Sequence, residues 1–265
     1  MTTQHDALLQ RIRDGDQAAL EMLLAEVQPQ LYRFSLKMCR HPEDAEDVLQ
    51  ESMLALARSL RNFEGTSKLS TYLYAVARNF CLKKRRTSKF APQTFVSTHD
   101  SSERDQLRET ESKSPSTITE NRESWRLVQT AIQELEPAYK EVLVLRDIEG
   151  LSAADVAQVV GISVPAVKSR LHRARAQLRD AINRGPYKIP PGCPDVRRLF
   201  SVFLEDDLSP SLCATMQEHV ETCMHCAKEC QGLKHIVHVC NQSPKVIPPN
   251  AAAHLKSAIA AALTE

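Results

Sequence analysis

The chain has 265 residues, of which 42% are hydrophobic and 25% are charged, and its formal net charge is +1. These values are ordinary for globular proteins, so they exclude a chain that is fibrous or disordered throughout, and the length favours several small domains. A net charge near zero does not by itself indicate a nucleic-acid partner, so the distribution of charge along the chain must decide.

Apolar residues recur at three- and four-residue spacing along most of the chain, glycines are few, and alternating β-branched runs are missing. This pattern predicts an all-α fold. Changes in composition predict two small helical domains, 1–86 and 122–183, joined by a flexible linker, 87–121; a small helical Cys/His zinc-binding domain, 193–240, and a tail, 241–265, with a short Ala-rich helix follow. The N-terminus lacks an apolar signal segment, and no run of about 18 apolar residues occurs, so we expect a cytoplasmic protein without membrane insertion.

The first helical domain contains an amphipathic segment near residues 42–60, with carboxylates opposite its apolar face. An acidic stripe repels DNA but suits docking on a basic protein surface. A solvated helix face without a partner is the alternative. The side chains that we assign to docking are Asp44, Asp47, Gln50 and Glu51.

Aromatic and cationic residues alternate over residues 72–86, at the end of the same domain. Rings beside cations can stack on an extruded base and contact phosphates. Tyr72 and Tyr74 can equally be core residues, because apolar neighbours such as Leu73 must be buried. The candidate DNA-binding side chains are Tyr72, Arg78, Asn79, Lys83, Lys84, Arg85 and Arg86.

The second helical domain contains the pattern of a helix-turn-helix. Ser152 and Asp155 form a capping box, Gly161 ends the first short helix, and Ser163 caps a second helix with Pro165 in its first turn. Apolar residues then repeat along one face of the second helix, whereas the other face is cationic and suited to the DNA major groove. Its candidate DNA-binding side chains are Lys168, Ser169, Arg170, His172, Arg173 and Arg175.

Three segments in this order resemble extracytoplasmic-function (ECF) sigma factors, the small promoter-specificity subunits of bacterial RNA polymerase. Residues 135–179 resemble their region 4, and residues 62–86 resemble the part of region 2 that contacts the promoter −10 element. Residues 44–51 resemble the part that grips the polymerase clamp. The resemblance implies core RNA polymerase and promoter DNA as partners, with the −35 element contacted by the second helix of the helix-turn-helix. Tyr72 stands where the family usually carries Trp.

Six of the eight cysteines follow residue 192, which points to metal or thiol chemistry. Three thiols and one imidazole have the spacing Cys-x25-His-x3-Cys-x2-Cys and can close a tetrahedral zinc site. These four candidate metal ligands are Cys193, His219, Cys223 and Cys226. Further donors remain, as packing or surface residues or as a second metal site: Cys213, His225, Cys230, His235, His238 and Cys240.

The cysteine-rich segment resembles the zinc-binding anti-sigma domain, including the stretch Arg197–Ser211. Such domains usually reside on a separate chain, so the fusion implies control within one molecule and predicts that no separate anti-sigma factor is needed. Two uses remain open. The segment either senses a transition-metal ion or an oxidant through its thiolates, or serves as a constitutive folding module whose zinc substitutes for core.

We therefore predict a non-enzymatic transcription initiation factor that binds core RNA polymerase and specific promoters, with a metal- or redox-responsive C-terminal domain acting in cis. The alternative is a helix-turn-helix regulator that binds an operator without docking on polymerase. An enzyme is not expected, because no phosphate loop, pocket-forming motif or general base accompanies the Cys/His cluster.

Overall fold

The computed structural model describes residues 2–39, 41–90 and 115–242, and its described helices fall into two compact units. The N-terminal unit lies within residues 1–112 and the C-terminal unit within residues 113–243. No strand occurs in the described ranges, which confirms the all-α prediction. None of the described helices combines the length and the apolar character needed to cross a membrane.

Among its described residues, the N-terminal unit contains four α-helices, α1 (Thr2–Arg13), α2 (Gln17–Met38), α3 (Pro42–Ser59) and α4 (Leu69–Phe90). Helix α2 begins at the N-cap Asp16, whose carboxylate accepts a hydrogen bond from the Ala19 backbone N–H; this bond lowers the pKa of Asp16. Its apolar face packs against α1, α3 and α4 and includes the fully buried Leu23 and Phe34. The unit therefore has a core of its own.

The C-terminal unit begins with α5 (Pro115–Glu134) and α6 (Pro137–Leu143), followed by a π-helical turn (Val144–Ile148). Helices α7 (Ala153–Val160) and α8 (Val164–Asn183) follow and form the predicted helix-turn-helix. Gly161 ends α7 with φ +75°, a left-handed conformation that glycine adopts without a Cβ penalty. The N-cap Ser163 accepts a hydrogen bond from the Ala166 N–H, and Pro165 lies in the first turn of α8 as predicted.

The cysteine-rich segment packs inside the C-terminal unit and does not form a separate unit. It folds into α9 (Val196–Leu204), α10 (Pro210–Thr222) and α11 (Met224–Asn241). Helix α9 contacts α8, and α11 contacts α5, α8 and the π-helical turn. The boundary predicted near residue 193 therefore separates two parts of one packed body.

The predicted linker, 87–121, stays a prediction. Helix α4 continues to Phe90 and α5 begins at Pro115, so both ends of the segment 87–121 are helical, and residues 91–114 lie outside the described ranges. A helix needs apolar residues only where it packs, so a polar composition does not exclude a helical end. The Ala-rich tail helix predicted after residue 250 also lies outside the described residues.

Candidate DNA interface and metal centre

The aromatic residues of α4 divide between core and surface. Tyr74 is 3% exposed and meets the Phe34 ring edge-on with centroids 5.3 Å apart, so it is a core residue. Tyr72 is half-buried against Phe63 at 5.0 Å between ring centroids. Tyr72 is the more exposed ring of this pair, and the exposed Asn79 lies two helical turns further along α4.

The basic residues of α4 lie beside the acidic stripe of α3. Lys83 Nζ is 3.0 Å from Glu51 Oε2, and Lys84 Nζ contacts Asp44 at 3.4 Å and Asp47 at 2.5 Å. The hydrogen bond to Asp47 raises the pKa of Lys84. The residues predicted to dock on polymerase and those predicted to bind DNA thus form adjacent charged strips on one unit.

Three more predicted residues of this unit lie at its surface. Gln50 on α3 is exposed, as are Arg85 and Arg86 near the end of α4. Arg78 is half-buried on α4. These positions place the candidate side chains where a partner can reach them.

Helix α8 buries one face and carries cations on the other. Four of the five apolar residues predicted to form its buried stripe are buried, Val167, Leu171, Ala174 and Leu178, whereas Val164 is half-buried. Ser169 and Arg173 are exposed, whereas Lys168, Arg170 and His172 are half-buried. Arg170 Nη1 lies 3.4 Å from Glu141 Oε1 of α6, and Lys168 forms an ion pair with Asp207, which follows α9.

Arg175 requires a correction. It is 3% exposed and donates to both carboxylate oxygens of Asp147, at 2.8 and 2.6 Å, to Glu205 at 3.0 Å and to the Ser201 hydroxyl at 2.8 Å. Burial alone would lower the pKa of Arg175, but the two carboxylates raise it above its ordinary value. Arg175 is held inside the C-terminal unit, and we remove it from the candidate DNA interface.

The four predicted metal ligands converge at the junction of α9, α10 and α11. One donor atom from each of Cys193, His219, Cys223 and Cys226 can be chosen so that all four lie within 4.8 Å of one another. The Cys193 and Cys223 sulfurs are 3.8 Å apart, and His219 Nε2 is 3.3 Å from the Cys226 sulfur. Three thiols and one imidazole around a common point fit a tetrahedral zinc ion.

The local fold explains how these donors meet. His219 lies in the last turn of α10, Cys223 joins α10 to α11, and Cys226 lies in the first turn of α11. Burial raises the pKa of Cys226 to about 12, whereas the backbone N–H of Cys226 lowers the pKa of Cys223. A bound cation would favour the thiolate form of each sulfur.

The remaining donors do not form a second cluster in the described part of the chain. Cys230 and Cys240 are 2% and 1% exposed on the packed face of α11. The imidazole of His225 stacks on the Tyr187 ring at 5.7 Å between centroids. These positions support packing roles for the buried cysteines.

Sequence reasoning missed five charged residues that join the cysteine-rich segment to the helix-turn-helix. Asp147 and Glu205 hold Arg175, as described above. Arg197 of α9 donates to Glu229 of α11 at 2.7 Å and lies 2.8 Å from Asp180 of α8. The partners are far apart in sequence, so no local spacing could have identified them.

Comparisons with known proteins agree with this arrangement. Residues 23–90 match the family Sigma-70 region 2, residues 125–178 match Sigma-70, region 4, and residues 193–227 match a zinc-finger family. The two sigma-70 matches, each lying on the unit that carries its candidate interface, define a protein of the sigma-70 class.

Two sequence relatives identify the group within the sigma-70 class to which the chain belongs. The RNA polymerase sigma-H factor of Pseudomonas aeruginosa is 30% identical over 186 residues, which cover 68% of this chain and 94% of that relative. The ECF RNA polymerase sigma factor SigM of Mycobacterium tuberculosis is 30% identical over 165 residues, covering 62% of this chain and 77% of SigM. The chain belongs to the ECF RNA polymerase sigma factors.

Among solved structures, the complex of CnrH with the cytosolic domain of CnrY resembles this chain with a TM-score of 0.49 and 22% identity. The similarity covers 67% of this chain and 96% of that chain. Family membership is established by the sequence relatives and does not depend on this structural likeness.

Proposed function

We propose that this sigma factor binds core RNA polymerase through the acidic strip of α3, formed by Asp44, Asp47 and Glu51, and directs it to promoters through α4 and α8. The observation that carries this proposal is the pairing of two separate cationic helices with an acidic strip that cannot itself bind DNA. In this arrangement Tyr72 and Asn79 contact the −10 element, and Arg173 with Ser169 contacts the −35 element. Phosphate contacts from the neighbouring cations hold the register.

Run-off transcription with core polymerase and the full chain tests this proposal. The chain should confer initiation at discrete start sites on genomic DNA fragments, whereas core enzyme alone should not. A chain that never alters the transcripts of core enzyme would contradict it. An operator-binding regulator, the other candidate, should bind its duplex specifically in gel shifts without core polymerase.

The proposed binding of α3 to core polymerase can be tested separately. The double variant Asp47→Asn, Glu51→Gln removes two charges from the acidic strip and should weaken binding to core polymerase by about tenfold, because charge complementarity drives such docking. Glu43→Gln is the matched control, since Glu43 is also exposed on α3 but lies outside the proposed strip. Equal affinities for all three proteins would remove α3 from the interface.

We further propose that the cluster of Cys193, His219, Cys223 and Cys226 binds zinc and that the cysteine-rich segment regulates the sigma factor in cis. The close packing of this segment on the helix-turn-helix supports control within one molecule, and it does not exclude a separate anti-sigma chain. When bound, zinc supplies a rigid tetrahedral link between the start of α9 and the α10–α11 junction.

Titration of transcription with metal ions and peroxide separates a sensor from a folding module. A sensor should change its output as the thiolates are metallated or oxidised. A folding module should give constant output until the protein unfolds.

A further inference from the structure

Two carboxylates that follow α9 hold cations of the helix-turn-helix. Glu205 Oε1 lies 3.0 Å from Arg175 Nη2, and Glu205 Oε2 lies 3.1 Å from Arg146 Nε. Asp207 forms an ion pair with Lys168 of α8. Arg175 lies outside the proposed DNA interface, so of these two carboxylates it is Asp207 that pairs with a proposed DNA-binding cation, where a duplex would present a phosphate.

The same region contains a cleft between α8 and α9 with a volume of about 460 Å³. One wall is formed by cationic and polar side chains of α8, among them Ser169, His172 and Arg173. The opposite wall carries three carboxylates and one cation: Asp195, Glu205, Asp207 and Arg198. The proposed DNA-contacting face of α8 thus looks onto α9.

Steric size makes this placement incompatible with the major groove. A helix with its side chains is roughly 10–12 Å wide, and the groove is about 12 Å wide. The groove therefore admits α8 alone. The turn after α9 pairs with Lys168 at the edge of the face that carries the exposed Ser169 and Arg173, so its docked position leaves no room for the groove wall beside α8.

We propose that Asp207, in the turn after α9, occupies the place of a DNA phosphate on Lys168 of α8, so that the docked position of this turn and binding of DNA to α8 exclude each other. This inference rests on the proposed function of α8 and names the contact through which the cysteine-rich segment controls it.

The start of α9 is tied to the metal centre, which links the docking to the cluster. Cys193 lies two residues before Asp195, the N-cap of α9, and Val196 is fully buried against Cys226 and Cys230. Arg197 then bonds Glu229 of α11 at 2.7 Å. One end of α9 is therefore fixed at the ligands, while the other end presents the carboxylates to α8.

Substitutions at the exposed Asp207 test the exclusion in the full chain. The probe is a fluorescein-labelled 30-base-pair duplex of mixed sequence, used at low salt, where phosphate contacts dominate affinity. Asp207→Asn should tighten binding about two- to fivefold, because a surface ion pair that competes with DNA is lost. Asp207→Lys should tighten it about tenfold, since it also repels Lys168.

The control variant is Asp206→Asn, which removes the same charge from the neighbouring exposed residue and should leave affinity unchanged. Asp206 makes no ion pair with α8 in the described structure. A general electrostatic effect would raise the affinity of both Asn variants equally, and this result would overturn the proposal. Fluorescence of Trp125, the single tryptophan, verifies that the C-terminal unit of each variant is folded.

Hydrogen exchange gives a second readout. Saturating duplex should increase exchange of the amides near the end of α9, because DNA displaces that end from α8. Unchanged or increased protection there would overturn the proposal.

Arg173→Ala separates failure of this inference from failure of the proposed function. If Arg173→Ala weakens duplex binding while the Asp207 variants bind like the wild type, the exclusion is wrong and α8 remains a DNA-binding helix. If Arg173→Ala has no effect, α8 does not contact DNA, and both proposals are overturned.

Discussion

Arg175 and Glu205 form an ion pair at 3.0 Å that joins helix α8 to the turn after α9, and both side chains are almost entirely buried. Two ions in such a site are stable only while their partners are present, because an unpaired buried charge is costly. This pair makes the cysteine-rich segment part of the same folded body as the helix-turn-helix.

Glu205→Gln should therefore destabilise the C-terminal unit. Arg175 keeps Asp147, so we expect the free energy of unfolding to fall by about 1–3 kcal/mol, less than for a buried ion left without any partner. Urea unfolding followed by Trp125 fluorescence reports on this unit, since Trp125 lies in α5. Asp206→Asn is the control, and a Glu205→Gln protein as stable as this control would contradict the prediction.

Truncation of Arg173 should weaken DNA binding, whereas truncation of Arg175 should lower the stability of the C-terminal unit. Arg173 is exposed, so Arg173→Ala should leave stability within about 0.5 kcal/mol of the wild type. It should weaken promoter binding by about 1–3 kcal/mol if it contacts a base. Arg175→Ala leaves Asp147 and Glu205 buried without their partner and should cost about 3–5 kcal/mol of unfolding free energy.

Stability from urea titration and affinity from fluorescence anisotropy, measured on the same two proteins, test this contrast. If Arg175→Ala keeps wild-type stability, the structural role of Arg175 is wrong, and Arg175 is again a candidate DNA contact.

The helix-turn-helix could be predicted because its signals are local. Ser152, Gly161 and Ser163 act through contacts within a few residues, and the buried stripe of α8 follows the helical period. Most of the four-donor cluster could also be predicted from the sequence, because His219, Cys223 and Cys226 lie close together at two adjoining helix ends.

The burial of Arg175 could not be predicted in this way. Arg173 and Arg175 belong to one cationic run, and the side chains that hold Arg175 lie 28 and 30 residues away, at Asp147 and Glu205. Only the packing of α9 on α8 brings them together. For the same reason, the sequence pattern predicted a cysteine-rich domain at 193–240, whereas the structure places these residues in one unit with the helix-turn-helix.

His172 should make the C-terminal unit less stable in mild acid. Burial lowers the pKa of His172 below its ordinary value of 6.5; Asp195 opposes this shift, whereas Arg198 and Arg173 add to it. The unfolded chain therefore takes up a proton at a higher pH than the folded chain does. The contribution of neutral His172 to the free energy of unfolding is fully present above pH 6.5 and is lost as the pH falls through the lower pKa of the folded state.

Urea unfolding of wild type and His172→Gln, followed by Trp125 fluorescence at several pH values between about 7.5 and 5.5, checks this sign. The difference between the two proteins isolates His172 from other groups, including the proposed metal ligand His219. Parallel slopes for the two proteins would show that His172 does not contribute.

Cys226→Ser should abolish zinc binding, whereas Cys230→Ser should retain it. Both thiols are buried on α11 and both border Val196, so the two substitutions impose a similar packing cost, but only Cys226 belongs to the four-donor cluster. We expect one zinc per chain for wild type and Cys230→Ser, measured by mass spectrometry of the native protein, and none for Cys226→Ser. Loss of the ion should also loosen the start of α9, because Cys193 then loses its link to α11. Faster hydrogen exchange of the α9 amides in Cys226→Ser than in Cys230→Ser would record this loosening, and equal zinc content in the two variants would refute the assignment of the ligands.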